Sequence, residues 1–199
     1  MKNQTGLNRM IKGGILLGLA LVLSYFEMPL LPQAPWLKLD FSALPILFGA
    51  LAFGSLFGLS LTAILQVLIY IVKGSTTGGI GEIANLLMLG TFIVITSAIY
   101  KSMKDNKGLI IGSAAGILGL TAAAIIANKF ILIPLFFPGG FPGGDAALNT
   151  YLFRFIPIFN VIKGFLISLL GSLAYSKIGF LIRKENIEYT AHHQMIKSV

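Results

Sequence analysis

No cysteine occurs in the chain, which excludes disulfides, thiolate metal sites and cysteine catalysis together and leaves the redox compartment open. Charge is scarce as well: 11% of the 199 residues are charged, against roughly a quarter in an ordinary soluble domain. No Gly-x-x-x-x-Gly-Lys-Ser/Thr run is present, so the phosphate-cradling loop of a P-loop ATPase is missing and any energy from ATP has to come from elsewhere. His-Glu-x-x-His and Gly-x-Ser-x-Gly are absent too. Both histidines, His192 and His193, lie in the polar tail without carboxylate or cysteine co-ligands, so no metal site is expected and no histidine stands inside an apolar run to pair with Glu82. These absences argue against an enzyme.

What the chain has instead is hydrophobic surface: 56% of its residues are apolar and its mean hydropathy is +0.87. That is the composition of an integral membrane protein. The length suits one domain, 1–199, of five or six helices, with no room for an appended soluble catalytic domain. A formal charge of +8 could suit nucleic acid, but the basic residues sit at the ends of apolar runs and act as topology signals, so no nucleic-acid partner is expected.

The first apolar run, Met10 to Glu27, lacks a small-x-small cleavage site and is expected to stay as a helix. Gly14 and Gly18, with Gly13 and Ala20, give it a strip of small residues, suited to internal packing or to docking another membrane subunit. A Pro-rich loop follows, in which Trp36 suits the membrane interface and Asp40 and Ser42 read as N-caps for the run beginning at Leu44. The run Leu44 to Val72 is too long for one span, and charge decides that it breaks near Phe53-Gly54. With that break, Arg9, Lys12, Lys101, Lys104, Lys107 and the basic residues from Lys177 onward fall on one side, while Lys38, Lys73 and Arg154 fall on the other. The expected architecture is therefore an all-α bundle of six transmembrane helices, over about 10–27, 44–53, 55–72, 80–101, 108–134 and 155–182, with both termini cytoplasmic.

Polar residues inside such runs are costly and mark sites. Lys163 lies within the run Phe155 to Tyr175, about 13 Å in from Arg154, and a charge well inside a spanning helix costs roughly 3 kcal/mol. It can face a cavity or a partner, or snorkel to the outer headgroups. Asn160 shares its helical face, and Gly164 leaves room for close approach. Asn128 lies six residues below Pro134, as Asn160 lies six below Arg154, so the two amides are expected at one depth. Lys129, one residue shallower, is expected to snorkel. At the head of the fourth helix, Gly79 belongs to a glycine-rich turn, while Glu82 and Asn85 share a face that suits either a helix-start carboxylate or a binding-site wall. The stretch Leu135 to Tyr151, rich in Gly and Pro, reads as an external loop that suits a mobile lid.

Taken together, the stretches 37–45 (Leu-Lys-Leu-Asp-Phe-Ser-Ala-Leu-Pro), 77–85 (Thr-Gly-Gly-Ile-Gly-Glu-Ile-Ala-Asn), Asn128 followed by 131–134 (Ile-Leu-Ile-Pro) and 160–164 (Asn-Val-Ile-Lys-Gly) are similar to the S components of energy-coupling factor (ECF) transporters, specifically the riboflavin-specific branch. The resemblance covers nearly the whole chain. It implies a six-helix cell-membrane protein, without cofactor or metal, that binds riboflavin from outside. It also implies a complex with a transmembrane coupling subunit and two cytosolic ATPase subunits, docked through the first helix, where Gly14 and Gly18 stand in place of the family's usual alanines. Side chains matching Asn128, Asn160 and Lys163 are implied to hold the isoalloxazine edge. Leu39, Asp40, Phe41 and Ser42 are implied to add largely backbone contacts, and Gly79, Glu82 and Asn85 are further candidates. Trp36, Phe41 and Phe141 are candidates to cover the ring.

Overall fold

A computed structural model describes residues 2–75 and 77–174. The far end of the sixth helix, expected to reach residue 182, and the tail with His192 and His193 lie outside the described residues. Helix α1 spans Lys2–Ser24, α2 Ala43–Phe53, α3 Ser55–Lys73, α4 Ile80–Met103, α5 Asn106–Phe136 and α6 Gly144–Ala174. Five are long and apolar enough to cross a membrane, and α2 is a shorter apolar helix.

The turn that separates α2 from α3 is a single residue. Gly54 sits at φ 101 and ψ 166, a conformation that an L side chain resists. Gly58 Cα then passes so close to Ala50 that an added Cβ would stand 2.4 Å from Ala50 Cβ. Arg9 of α1 donates from Nη2 to Phe53 O at 2.8 Å, satisfying a carbonyl that the end of α2 leaves unpaired. Its guanidinium also lies 4.6 Å from the Phe57 ring centroid. The basic end of α1 and the α2–α3 turn therefore share one face of the bundle.

Small residues also set the α4–α5 contact. A Cβ on Gly112 would meet Thr96 O at 2.7 Å, and one on Gly116 would meet Thr96 Oγ1 at 2.1 Å, so the backbones touch directly. Asp105 caps α5 by accepting from Gly108 N at 2.6 Å, which starts that helix at Asn106 instead of Gly108. A lower core of Ile46, Leu47, Leu65, Phe92, Ile93 and Ile167 fills the middle of the bundle. An upper cluster includes Ala34, Ala124, Tyr151, Leu152 and Ile156, and Met88 packs against both.

Three features of the outer end depart from expectation. First, α1 ends at Ser24, not Glu27, because Glu27 is drawn into the loop by Lys38 at 2.6 Å and Lys73 at 2.7 Å. Lys73 also donates to Ser24 O at 2.7 Å, tying α1 to α3. Burial pushes the Glu27 carboxyl up, but the two ammonium groups outweigh it and hold the group below the ordinary carboxylate range. Second, α6 begins at Gly144, so the expected loop 135–151 shrinks to residues 137–143. Asp145 in its first turn suits the positive helix end, and Ala146, Ala147 and Leu148 are good helix formers. Arg154 lies within α6, on its exposed outer part. Third, α3, α5 and α6 each widen into a π-helical turn near the outer end, at Ile69–Lys73, Asn128–Leu132 and Tyr151–Phe155.

Candidate functional site

The first external loop descends into the bundle because α2, at about 16 Å, is only half as long as the ~30 Å hydrocarbon core. Its strands Met28–Pro29 and Lys38–Leu39 pair antiparallel, with Met28 opposite Leu39. Leu39 is buried and Phe41 half-buried. Beyond this ribbon the chain delivers Asp40 to Lys163, whose Nζ lies 3.0 Å from Asp40 Oδ2. Both side chains are largely buried, at 13% and 15% exposure. Lys163 does not snorkel. Its Nζ also lies 5.9 Å from the Phe159 ring centroid.

Asp40 and Ser42 do not cap α2 as expected. Ser42 has helical backbone angles and makes no side-chain cap bond. Its amide donates to Asp40 Oδ1 at 2.9 Å and its hydroxyl donates to the same oxygen. The short loop is thereby folded around the carboxylate instead of around the helix end. Burial pushes the Asp40 carboxyl up, yet Lys163 and the two Ser42 donors outweigh it and hold the group below the ordinary carboxylate range.

Asn128 is 5% exposed and held from both sides. Its amide donates to Ala124 O at 2.8 Å, and its Oδ1 accepts from the Tyr151 hydroxyl at 2.9 Å. Trp36 Nε1 donates in turn to that hydroxyl at 2.9 Å, so the first loop, α6 and α5 are joined by one chain of hydrogen bonds. Asn128 and Tyr151 are both the first residues of π-helical turns, a geometry frequent at functional sites. Asn160 is 4% exposed and donates to Ile156 O at 2.9 Å, which leaves a second N–H and the carbonyl oxygen for another partner.

The two amides do not share a depth. A Cβ on Gly164 would stand 2.6 Å from Ile117 Cγ1, so the close approach that this glycine allows is made by α5. That contact sets Asn160 level with about residue 121, and Asn128 lies roughly 10 Å further out. The equal-depth expectation took Arg154 as the outer end of the helix, which it is not.

At the head of α4, Glu82 Oε2 accepts from Ser75 Oγ at 2.9 Å and from Thr77 Oγ1 at 3.3 Å. Gly79, at φ 95, lies against the Tyr70 ring. These contacts make Glu82 a helix-start carboxylate that fastens its own turn. Asn85 reaches across to α3, donating to Gln66 Oε1 at 3.2 Å.

Outside these polar groups lies an aromatic mouth. Phe141 stacks on Tyr151 at 5.3 Å between centroids, and Phe137 meets Phe141 edge-on at 5.2 Å. With Trp36, Gln33 and Phe155 they line a cavity of about 640 Å³. Neither Asn160 nor Lys163 belongs to its wall, and Asn128 lies behind Tyr151. Among the described residues, no group of three His, Asp or Glu could hold a metal. Sequence reading missed Tyr151, Gln66, Phe137 and Phe155. An intramembrane glutamine was the one signal that could have marked Gln66.

Comparison with known proteins decides the family. Residues 8–175 match the model of the ECF transporter substrate-specific component. The chain belongs to this family. It is therefore a multi-pass membrane protein and a transporter component, not an enzyme. It is 34% identical over 161 residues to the riboflavin transporter FmnP of Bacillus subtilis, covering 79% of this chain and 84% of that protein. It is 31% identical over 180 residues to the riboflavin transporter RibU of Staphylococcus aureus, covering 88% and 93%. A solved bacterial ECF transporter S component, 29% identical, superposes with a TM-score of 0.75 over 92% of this S component and 99% of that chain.

Proposed function

We propose that this S component binds riboflavin from the outer face and releases it inside, in complex with a transmembrane coupling subunit and two cytosolic ATPase subunits. The observation that carries the reading is the pairing of Lys163 with Asp40. It holds a charge-assisted donor inside the bundle, one helical turn from Asn160, against a loop carboxylate that a ligand carbonyl can replace. The relatives named riboflavin transporters, at 31–34% identity over most of the chain, favour this vitamin.

Riboflavin's pyrimidine edge alternates carbonyl acceptors with an N–H donor. The ammonium of Lys163 and the amide of Asn160 match that edge, and a hydrogen bond adds about 1 kcal/mol, or about 1.5–3 kcal/mol where charge takes part. With Asn128 roughly 10 Å further out, the tricyclic ring lies lengthwise along the bundle, its other end toward Asn128. Lys163 exchanges Asp40 for the ligand carbonyl, so ligand entry and movement of the first loop are one event. Gly14 and Gly18 form the face on which the coupling subunit docks.

Purification of the expressed chain tests the reading: a yellow flavin is expected to accompany it and to be identified as riboflavin after extraction. A protein that copurifies without flavin and leaves riboflavin fluorescence unquenched in titration overturns it, and preferential quenching of FMN reassigns the ligand. Uptake by reconstituted chain alone, without ATPase subunits, would indicate a self-sufficient transporter instead.

A further inference from the structure

Gln66 of α3 is 5% exposed, and among the described residues its Nε2 has no hydrogen-bond partner. Its Oε1 is occupied by Asn85 Nδ2. Buried polar groups are overwhelmingly paired, and an unpaired one inside a spanning helix is costly. Turning both amides over exchanges the roles and leaves the Gln66 oxygen unpaired instead. A hydroxyl group, which both donates and accepts, satisfies either orientation.

Helix registers fix where this amide stands. Gly116 abuts Phe92 and Thr96, which sets Asn85 level with about residue 125 of α5. The Asn85–Gln66 pair therefore lies between the depth of Asn160, near residue 121, and that of Asn128. Met88, one turn inward from Asn85, packs against both the lower core and the cluster of Tyr151, Leu152 and Ile156. The unpaired amide therefore stands at the depth that the ring is proposed to span, on the α3–α4 side of the bundle.

We infer that Gln66, held by Asn85, is a ligand contact that takes a hydroxyl of the substrate's polyhydroxylated side chain. The inference rests on the riboflavin reading above. The ring edge is served by Asn160 and Lys163, and the ribityl chain is the part of that ligand whose hydroxyls need partners in an apolar bundle. Like Asn128 and Asn160, Gln66 is buried, so its contact with a ligand requires the surrounding chain to move.

Lumiflavin, which carries a methyl group in place of the ribityl chain, separates the two ideas. Gln66→Leu, and independently Gln66→Met, are expected to weaken riboflavin binding about threefold to tenfold, the loss of one hydrogen bond, and to leave lumiflavin affinity unchanged. Equal loss of affinity for both flavins, or no loss for either, overturns the role of Gln66 while leaving the riboflavin reading intact. Failure of the wild-type protein to bind either flavin overturns both.

Discussion

Lys163 on α6 and Asp40 in the first external loop meet at 3.0 Å, although 123 residues separate them in the chain. The pair ties a loop to a helix with a bond that a ligand carbonyl can replace, so its two halves have different consequences when removed. Lys163→Met is expected to weaken riboflavin binding tenfold or more, since one charge-assisted bond is lost. Asp40→Asn leaves the ammonium buried and uncompensated. It is expected to destabilise the unliganded protein by about 3 kcal/mol, with flavin binding kept. The double variant should recover much of that stability. Thermal unfolding in detergent and fluorescence-quenching titration measure both, and stability losses that simply add would deny the coupling.

The same carboxylate sets a pH dependence. Its value in the folded protein lies below the ordinary one, so the unfolded chain takes up protons first as pH falls. The pair's contribution to stability is then complete above about pH 5, begins to decline near the ordinary carboxylate value of about 4, and is lost as pH falls through the lower folded value. The difference in unfolding temperature between wild type and Asp40→Asn should stay constant from neutral pH to about pH 5 and shrink below about pH 4. A difference that is flat down to strong acid would mean that Asp40 contributes nothing as an anion.

Tyr151 links Trp36 to Asn128 through one hydroxyl. Tyr151→Phe keeps the stacked ring against Phe141 but leaves the indole N–H and the Asn128 oxygen without that partner. A loss of about 1–2 kcal/mol in stability is expected, with flavin binding weakened severalfold because the Asn128 amide is no longer oriented. Riboflavin affinity equal to wild type in titration would show that Asn128 needs no such support.

How much of this was legible in the sequence follows from what each signal measures. Charge counting found the break at Gly54 because the positive-inside pattern reports the side on which each turn lies. Arg154 defeats the same logic: a charge inside a helix looks like a helix end, whereas Gly143, Gly144 and Asp145 carry the actual start signal, ten residues earlier. The error then propagated into the depth of Asn160. Lys163, Asn160 and Asn128 stood out because polar groups in apolar runs are rare, but their partners did not. Nothing local tells Asp40 from a helix cap, since the ion pair exists only once α6 packs beside the first loop. Gly13 and Ala20 illustrate the same limit. They match Gly14 and Gly18 in size, yet both are buried, Gly13 against Phe57 of α3, while Gly14 and Gly18 face outward.

Gly54 offers a test of the fold alone. At φ 101 and ψ 166 it occupies backbone space reserved for glycine, and an added Cβ would meet no atom within 4 Å, so strain and not collision is the cost of a side chain. Gly54→Ala is expected to lower stability by about 1–3 kcal/mol with little change in flavin affinity, because the turn lies at the opposite end of the bundle from the aromatic mouth. Unaltered thermal stability would mean that the α2–α3 turn relaxes freely.

The outward glycines separate binding from assembly. A Cβ on Gly14 or Gly18 would meet nothing within 4 Å, and neighbouring Ile11, Ile15 and Leu19 are exposed on the same helix. A leucine Cβ at either position therefore meets no atom of the isolated bundle, and better helix propensity should leave its stability equal or slightly higher. What leucine cannot fit is a second helix brought to backbone contact, since the close approach that small residues permit would be blocked by two bulky side chains. The double variant Gly14→Leu, Gly18→Leu is thus expected to bind riboflavin as tightly as wild type, yet to fail to copurify with the coupling subunit and to lose ATP-dependent uptake. Retained copurification would move the docking face off this strip, and loss of flavin binding in the isolated variant would show that α1 supports the site and not the assembly.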